Sequence, residues 1–292
     1  MGAYEVIVSC DRCIDGTEEA LKSSFRTQVR ILRSAIPGQT GAGNMGVKHA
    51  KGDLIIFLDD DMEPEQGFIA AHVSAHCAEP ARKIGVTGYS PLVVDESSTP
   101  LMRQQAKAYE AYFDDLEKGN RLNTPLDLAG FSFSIPTSAI LEVGGFNESY
   151  VFARNDFELS VRQLERGYEF RFCRTARAKM HMLVTADQLI NRVMERARND
   201  YRLSREHPWC TPYLPFYRPL RDAFARRRWR VLWETSRIAA ATFKAARTVA
   251  PNNLHLVNWE YAARYCLALR HEVGTWKEFC RLYDQDFSHE YP

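Results

Sequence analysis

The sequence lacks a long hydrophobic run: its uninterrupted apolar stretches reach about five residues, as at Leu54–Leu58, against the roughly 20 needed to cross a bilayer. Met1 to Cys10 hold no basic region followed by an extended apolar one, which argues against a secretory leader. Val6 stands where a myristoylation signal wants Ser or Thr. An excess of either charge is also missing: 38 basic residues face 37 acidic ones, so no global field points to nucleic acid. Cysteine is sparse and dispersed. Its seven copies form an odd number without the dense spacing of a disulfide scaffold, which suits a reducing cytoplasm. Cys10 and Cys13 make a C-x-x-C, but no second pair accompanies them for zinc. The motif also closes a strand rather than opening a helix, as a thioredoxin-like site would require. Internal repeats and low-complexity segments are absent too.

What is present is the composition of a folded chain. With 292 residues, 45% hydrophobic and 26% charged, it is long enough for one large domain, or for one domain with an appendage. Tyr4–Ser9 reads as a strand, followed by the turn-prone Asp11–Gly16 and a helix over Thr17–Phe25 with acids in its first turn. Val29–Leu32 reads as a short strand. It leads to a glycine-rich loop, a brief helix over Asn44–Lys51 and the apolar strand Leu54–Leu58, which ends on three aspartates. Strands alternating with helices predict a parallel α/β sheet whose ligands sit beyond the carboxyl ends of the strands. Further on, the pattern predicts a strand at Phe131–Ile135, a turn at Gly144-Gly145, a helix over Asp156–Arg166 and a strand over Glu169–Cys173. Long helices take over beyond Asp187, so the expected domains are an α/β core over residues 1–186 and a helical region over 187–292.

Gly41-Ala42-Gly43-Asn44-Met45-Gly46 satisfies G-x-G-x-x-G, with Asp59 near the distance of a ribose-binding acid, which on its own suggests NAD and an oxidoreductase. That fingerprint should begin at the strand end and open a full crossover helix. Here Ser34–Thr40 intervenes and the helix spans about two turns. A plain turn in which glycine permits positive φ also fits.

Asp59, Asp60 and Asp61 repel one another, and their place at the end of a buried strand makes sense chiefly if a cation offsets them. Mg²⁺ or Mn²⁺ would take one or two carboxylates and fill its other positions with phosphate oxygens and water. A solvated acidic turn before the next helix is the alternative. Asp156 likewise reads as the first-turn acid of its own helix.

The run GAGNMGVKHAKGDLIIFLDDDMEP, Gly41 to Pro64, resembles the family 2 glycosyltransferase pattern of a Gly/Asn loop, a helix ending A-x-G-D, an apolar strand and an acidic D-x-D segment. Tyr4–Thr17 is similar to the same family's second strand, with Asp11, Asp15, Gly16 and Thr17 on family positions and Cys10, Arg12 and Cys13 departing from them. Gly144 to Leu159 resembles the acceptor-side block GGFDE…EDxEL, where Asn155 replaces the customary Glu. The resemblance covers Tyr4 to His181 and implies a GT-A fold, α/β with a parallel or mixed sheet flanked by helices and a helical C-terminal extension. It implies an inverting transfer from a nucleoside-diphosphate sugar, uridine-linked by the match at Asp11, to a saccharide, lipid-linked or other hydroxyl acceptor. It places the nucleotide sugar on Asp11, Asn44, Asp59, Asp60 and Gly130, a divalent metal on Asp61 with His181, and the general base at Asp156, with Glu158 as the next carboxylate in line. A lone histidine such as His181 is as readily structural. Family members also carry a strand before the segment that begins here at Tyr4, so an incomplete chain or a misplaced start is expected. A catalytically silent subunit that binds a partner is the competing reading.

Between Asn191 and Arg247 stand 14 basic against five acidic residues. Ala225, Trp229, Leu232, Ala239, Phe243 and Ala246 follow helical spacing there, with arginines on the flanks. Two readings apply: a peripheral helix on the inner face of the membrane, or a stripe packed on the catalytic domain with a solvated basic face.

Overall fold

The computed structural model describes residues 4–25, 28–119, 124–128, 132–151 and 153–284. The chain divides into two compact units, one from Met1–Pro91 and Phe113–Met180, the other from Leu92–Tyr112 and His181–Pro292. The second thus includes a segment, Leu92–Tyr112, that lies well before the long helices in sequence.

The first unit opens with β1 (Val6–Cys10), whose β-branched residues suit a pleated strand. It pairs in parallel with β2 (Val29–Arg33), Val6 opposite Val29 and Cys10 opposite Arg33. Between them α1 (Thr17–Phe25) starts where the Asp15 carboxylate accepts both the Thr17 N–H (3.1 Å) and its hydroxyl (2.6 Å). Arg33 returns to α1 as a fork on Glu18, with contacts of 2.6 and 2.5 Å.

Helix α2 (Gln39–His49) begins earlier than the sequence pattern suggests and contains Gly41, Gly43 and Gly46, so the glycine motif is helical and not a loop. Packing explains the glycines. A Cβ on Gly41 would collide with the Ile36 backbone, one on Gly43 would lie 3.0 Å from the Phe146 ring, and one on Gly46 would lie 3.3 Å from Ser9 Oγ. Small residues here let α2 lie close to its neighbours, a gain that outweighs the roughly 1 kcal/mol cost of a helical glycine.

The second sheet has five strands in the order β3 (Leu54–Leu58), β6 (Ser132–Pro136), β5 (Ile84–Tyr89), β7 (Glu169–Met180) and β4 (Met62–Pro64). Only β5 and β7 run parallel; β3–β6, β5–β6 and β4–β7 are antiparallel. The sheet is therefore mixed, within the parallel or mixed sheet that the resemblance implies; strand and helix alternation, which alone suggests a parallel sheet, does not carry strand direction. β7 runs seven residues past the expected Cys173, because a register shift after Gly88 lets it continue and pair with β4. The flanking helices are α3 (Phe68–Ala78), α5 (Thr137–Glu142) and α6 (Asn155–Leu164), whereas α4 (Pro100–Glu117) lies mostly in the Leu92–Tyr112 segment of the second unit. All six residues of β5 are buried, as are Phe133 and Ile135 of β6, Ile140 of α5, and Leu159 and Leu164 of α6.

The second unit is helical: α7 (Ala186–Glu206), a 3-10 turn at Pro208–Tyr213, α8 (Arg218–Arg221), α9 (Ala223–Val249), α10 (Leu254–Val273) and α11 (Trp276–Tyr283). Thr185 and Thr275 close capping boxes, and Asp222 and Asn253 cap α9 and α10, so four starts are set by local sequence. Trp233 is fully buried against Phe279, 4.6 Å between ring centroids, and Glu260 is buried between Arg247 (2.7 Å) and Arg264 (2.9 Å). Trp229 meets Tyr265 at 6.3 Å and Phe243 stacks on Trp259 at 5.8 Å, so the apolar stripe read from the sequence faces α10. Among the described residues no helix is long and apolar enough to cross a membrane.

Within the first unit, His72 of α3 is fully buried, its Nδ1 2.8 Å from the Ser134 hydroxyl that also meets His76 Nε2 at 2.9 Å. Burial, then the charge of His76, pushes His72 down to about 4, and burial lowers His76 as well. A depressed histidine contributes stability that is present above its unfolded value near 6.5 and is lost as pH falls toward 4. Denaturant titrations at pH 7 and pH 5 should show His72 alone contributing a loss of about 2 kcal/mol. His72→Gln should remove that part of the pH slope; an unchanged slope would mean the imidazole is not held neutral.

Candidate active site

Strand β3 is apolar throughout and delivers its chain end to a turn in which the Met62 N–H donates to the Asp59 carbonyl at 3.2 Å. Asp59, Asp60 and Asp61 occupy that turn. The Asp59 carboxylate accepts from Gln39 Nε2 at 3.3 Å, and Gln39 Oε1 accepts from Asn155 Nδ2 at 3.2 Å. Three elements thus meet at one point: the end of β3, the start of α2 and the start of α6. Burial, then the charges of Asp61, Asp156 and Asp60, push Asp59 up to about 7, while the Gln39 bond works in the opposite direction. Asp156, nearly a hundred residues later, therefore shares an electrostatic environment with the acidic turn.

Asp156 arrives there through a strained entry. Arg154, directly before α6, has φ 67° and ψ 11°, a left-handed conformation that a non-glycine residue adopts at a cost of about 1–3 kcal/mol. Its guanidinium lies 5.3 Å from the centroid of the Phe157 ring. Asn155 is buried, and Asp156 Oδ1 accepts the Phe157 N–H at 2.8 Å. The first-turn position and the shared acidic environment both hold, so the helix-start and catalytic readings of Asp156 are compatible.

The loop before α6 is braced from both sides. Asn44 donates to the Phe146 carbonyl (2.9 Å) and to Glu148 Oε1 (3.0 Å), and its Oδ1 accepts the Phe146 N–H at 2.7 Å. A Cβ on Gly145, which has φ 80°, would strike Asn44 Oδ1, so the glycine admits the brace. Both donor hydrogens of Asn44 are engaged in this way. Arg162 forks onto Glu158 (2.7 and 2.6 Å) and donates to the carbonyls of Val143 (2.6 Å) and Gly145 (2.9 Å). Glu158 is buried with both oxygens bound to this guanidinium, so it is committed as the counter-ion of Arg162.

Of the other residues singled out from the sequence, Asp11 accepts the Gly38 N–H at 2.8 Å and Arg12 Nε at 3.3 Å, tying the end of β1 to the start of α2. Asp60 is exposed beside Asp59. His181 follows Met180 directly and belongs to the second unit. Gly130 lies outside the described residues. Gln39 and Arg154 were missed by sequence reasoning. Gln39 sat in what read as a loop, and no local signal marks a left-handed arginine.

Among the described residues no group of three or more His, Cys, Asp or Glu side chains forms a complete ligand set for a metal. The donors at the turn are all carboxylate oxygens that repel one another, which fits a hard divalent cation drawing its remaining ligands from phosphate and water.

Residues 2–135 match the family described as Glycosyl transferase family 2. A pre-mycofactocin glycosyltransferase of Mycobacterium tuberculosis (strain CDC 1551 / Oshkosh) is 28% identical over 144 residues, covering 46% of this chain and 28% of its own length. The uncharacterized glycosyltransferase YfnE of Bacillus subtilis (strain 168) is 33% identical over 76 residues, 25% of this chain and 19% of its own. The chain thus spans less than a third of the length of these curated relatives. Among solved structures, the mannosyltransferase PcManGT from Pyrobaculum calidifontis in complex with GDP-Man and Mn²⁺ is similar with a TM-score of 0.52 at 16% identity, covering 92% of this chain and 77% of that one. The likeness establishes the fold: a GT-A-type mixed sheet flanked by helices, followed by a helical region.

Because the folded state raises Asp59 above its unfolded value of 3.8, ionising it costs stability. Its favourable contribution is present below about pH 4 and is lost as pH rises toward 7. Asp59→Asn removes that cost, so its unfolding midpoint should exceed that of the unmodified protein at pH 8, at about 2–4 °C per kcal/mol. The two should converge at pH 4. A gain of equal size at both pH values would show that the carboxylate is not strained by its neighbours.

Proposed function

We propose that this chain, whose residues 2–135 match the family described as Glycosyl transferase family 2, transfers a sugar from a nucleoside diphosphate to an acceptor hydroxyl in a single, inverting displacement at the acidic turn. The observation that carries this is the convergence of Asp59–Asp61 with Asp156, registered in the elevation of Asp59 to about 7. In this reading Asp156 accepts the proton of the attacking hydroxyl, because that hydroxyl is a weak nucleophile at neutral pH and an ionised carboxylate is a suitable acceptor. Asn155 has no such capacity. Its amide donates to Gln39, which donates in turn to Asp59, so the pair aligns the acidic turn with α6.

On the donor side, Asp11, Asn44, Asp59 and Asp60 are assigned to the nucleotide sugar, with Gly130 by family resemblance alone. Asp11 and Asn44 act mainly by holding β1, α2 and the 144–148 loop in place around it. Asp61 is the residue that would hold Mg²⁺ or Mn²⁺, and His181 is added as a second ligand on the resemblance alone. A bound cation would offset charge developing on the diphosphate as the anomeric bond breaks. Uridine is the base favoured by the match at Asp11. The mannosyltransferase of similar fold holds GDP-Man and Mn²⁺, so guanosine-linked sugars belong in the same assay. The acceptor is a saccharide, a lipid-linked sugar or another hydroxyl compound. The seven cysteines are free and fit a reducing, cytoplasmic setting.

The test is turnover of a panel of UDP- and GDP-linked hexoses with Mn²⁺, reading product and anomeric configuration. Asp156→Asn should lower kcat by on the order of 10²–10⁴ while donor KM stays nearly unchanged, and Asn155→Asp should change kcat less. Full activity in Asp156→Asn, or retention of configuration, would contradict the assignment of the base.

A further inference from the structure

Helix α9 has a second apolar line, on the side away from α10. Phe224, Val231 and Ile238 stand seven residues apart and are 72%, 60% and 72% exposed; Val249, eighteen residues beyond Val231, is 86% exposed. At 3.6 residues per turn these four fall within roughly 20° of one line along the helix. None of them is among the residues that face α10. The cations are ordered as well. Arg230, Arg237 and Lys244 repeat every seven residues along one shoulder, roughly 100–140° round the helix from the line, and Arg227 and Arg228 flank the line at roughly 40° and 60°; all five are exposed. Glu234 is the one exposed acid within the helix. Arg228 sits 5.9 Å from the centroid of Phe224 and 5.7 Å from that of Trp259, which is itself 40% exposed and adds an indole to the same edge.

Large apolar side chains recurring every two to three turns along one side of a helix are costly in water and fit a contact surface. The charges select the partner. A second copy docked along this line would bring Arg227 and Arg228 of both copies to one seam with only Glu234 of each to offset them, and like charges would repel. A nucleic acid would satisfy the arginines but leave Phe224, Val231, Ile238 and Val249 against phosphates. An anionic lipid surface satisfies both: apolar side chains enter the boundary between headgroups and acyl chains, arginines reach lipid phosphates, and the indole suits the interface.

We infer that the outward face of α9, from Phe224 to Val249, docks on an anionic lipid bilayer. This goes beyond the transfer reaction and does not depend on it, since its readout is lipid binding. The experiment is co-sedimentation of the full chain with vesicles of phosphatidylcholine alone and of phosphatidylcholine mixed with phosphatidylglycerol, at low and high salt. Binding should favour the mixed vesicles by about tenfold or more and weaken with salt. Val231→Glu with Ile238→Glu should cut it by about tenfold or more, as should Arg230→Glu with Arg237→Glu. Circular dichroism checks the fold of each variant, and if the apolar pair fails to fold, the arginine pair decides. Absence of binding to mixed vesicles at low salt would overturn the inference. So would binding undiminished in folded variants, or a dimer in sedimentation equilibrium that Val231→Glu dissociates.

Discussion

The burial of the Asp59 carboxylate beside Asp61, Asp156 and Asp60 is the constraint around which the first unit is arranged. Burial first, and then the charges of these three neighbours, push Asp59 up to about 7, and such a group of carboxylates does not gather unaided. Each must be delivered by an element fixed elsewhere. β3 brings three of them and is anchored along its length to β6, Leu54 opposite Pro136 and Leu58 opposite Ser132. α6 brings the fourth, and its start is set by the left-handed Arg154 and by the amide link from Asn155 through Gln39. The cost of holding these charges together is consistent with a site completed by a cation and an anionic ligand that the protein alone does not supply.

The scaffold behind the site works through close approach and through polar groups whose capacity is fully used. Glycines in α2 bring that helix against Phe146 and Ser9, and Asn44 on the same helix then grips the Phe146 backbone at both N–H and C=O. Arg162 performs the matching task from α6, binding the carbonyls of Val143 and Gly145 while Glu158 neutralises it. A buried charged pair of this kind adds little net stability compared with an apolar replacement, but removing one partner is severe, about 3–5 kcal/mol. It serves to fix the loop, which in turn fixes the entry to α6.

Much of this frame is legible in the sequence where local rules act. The helix Thr17–Phe25 and the strand Leu54–Leu58 are found to the residue, because a polar cap and a run of apolar, β-prone residues mark them. The acidic turn and Asp156 are legible as residue types in a family pattern. What escapes is decided by neighbours distant in sequence. Glycines that signal a loop lie inside α2 because Phe146, a hundred residues on, needs the space. The direction of β6, the bond from Asn155 to Gln39 and the burial of Glu158 leave no trace in local pattern either. The basic helix was read correctly as amphipathic, but it has two apolar lines, and only packing reveals that the one through Trp229 faces α10 while the one through Val231 faces out.

The central claim is that the acidic turn recruits a nucleoside diphosphate together with a divalent cation. Calorimetric titration of the full chain with UDP and with GDP, each with Mn²⁺ and with a chelator, tests it most directly. The account predicts binding of one of the two nucleotides only when Mn²⁺ is present, and loss of that dependence in Asp61→Asn. Equal affinity in the presence of the chelator, or an unaltered Mn²⁺ requirement in Asp61→Asn, would contradict it.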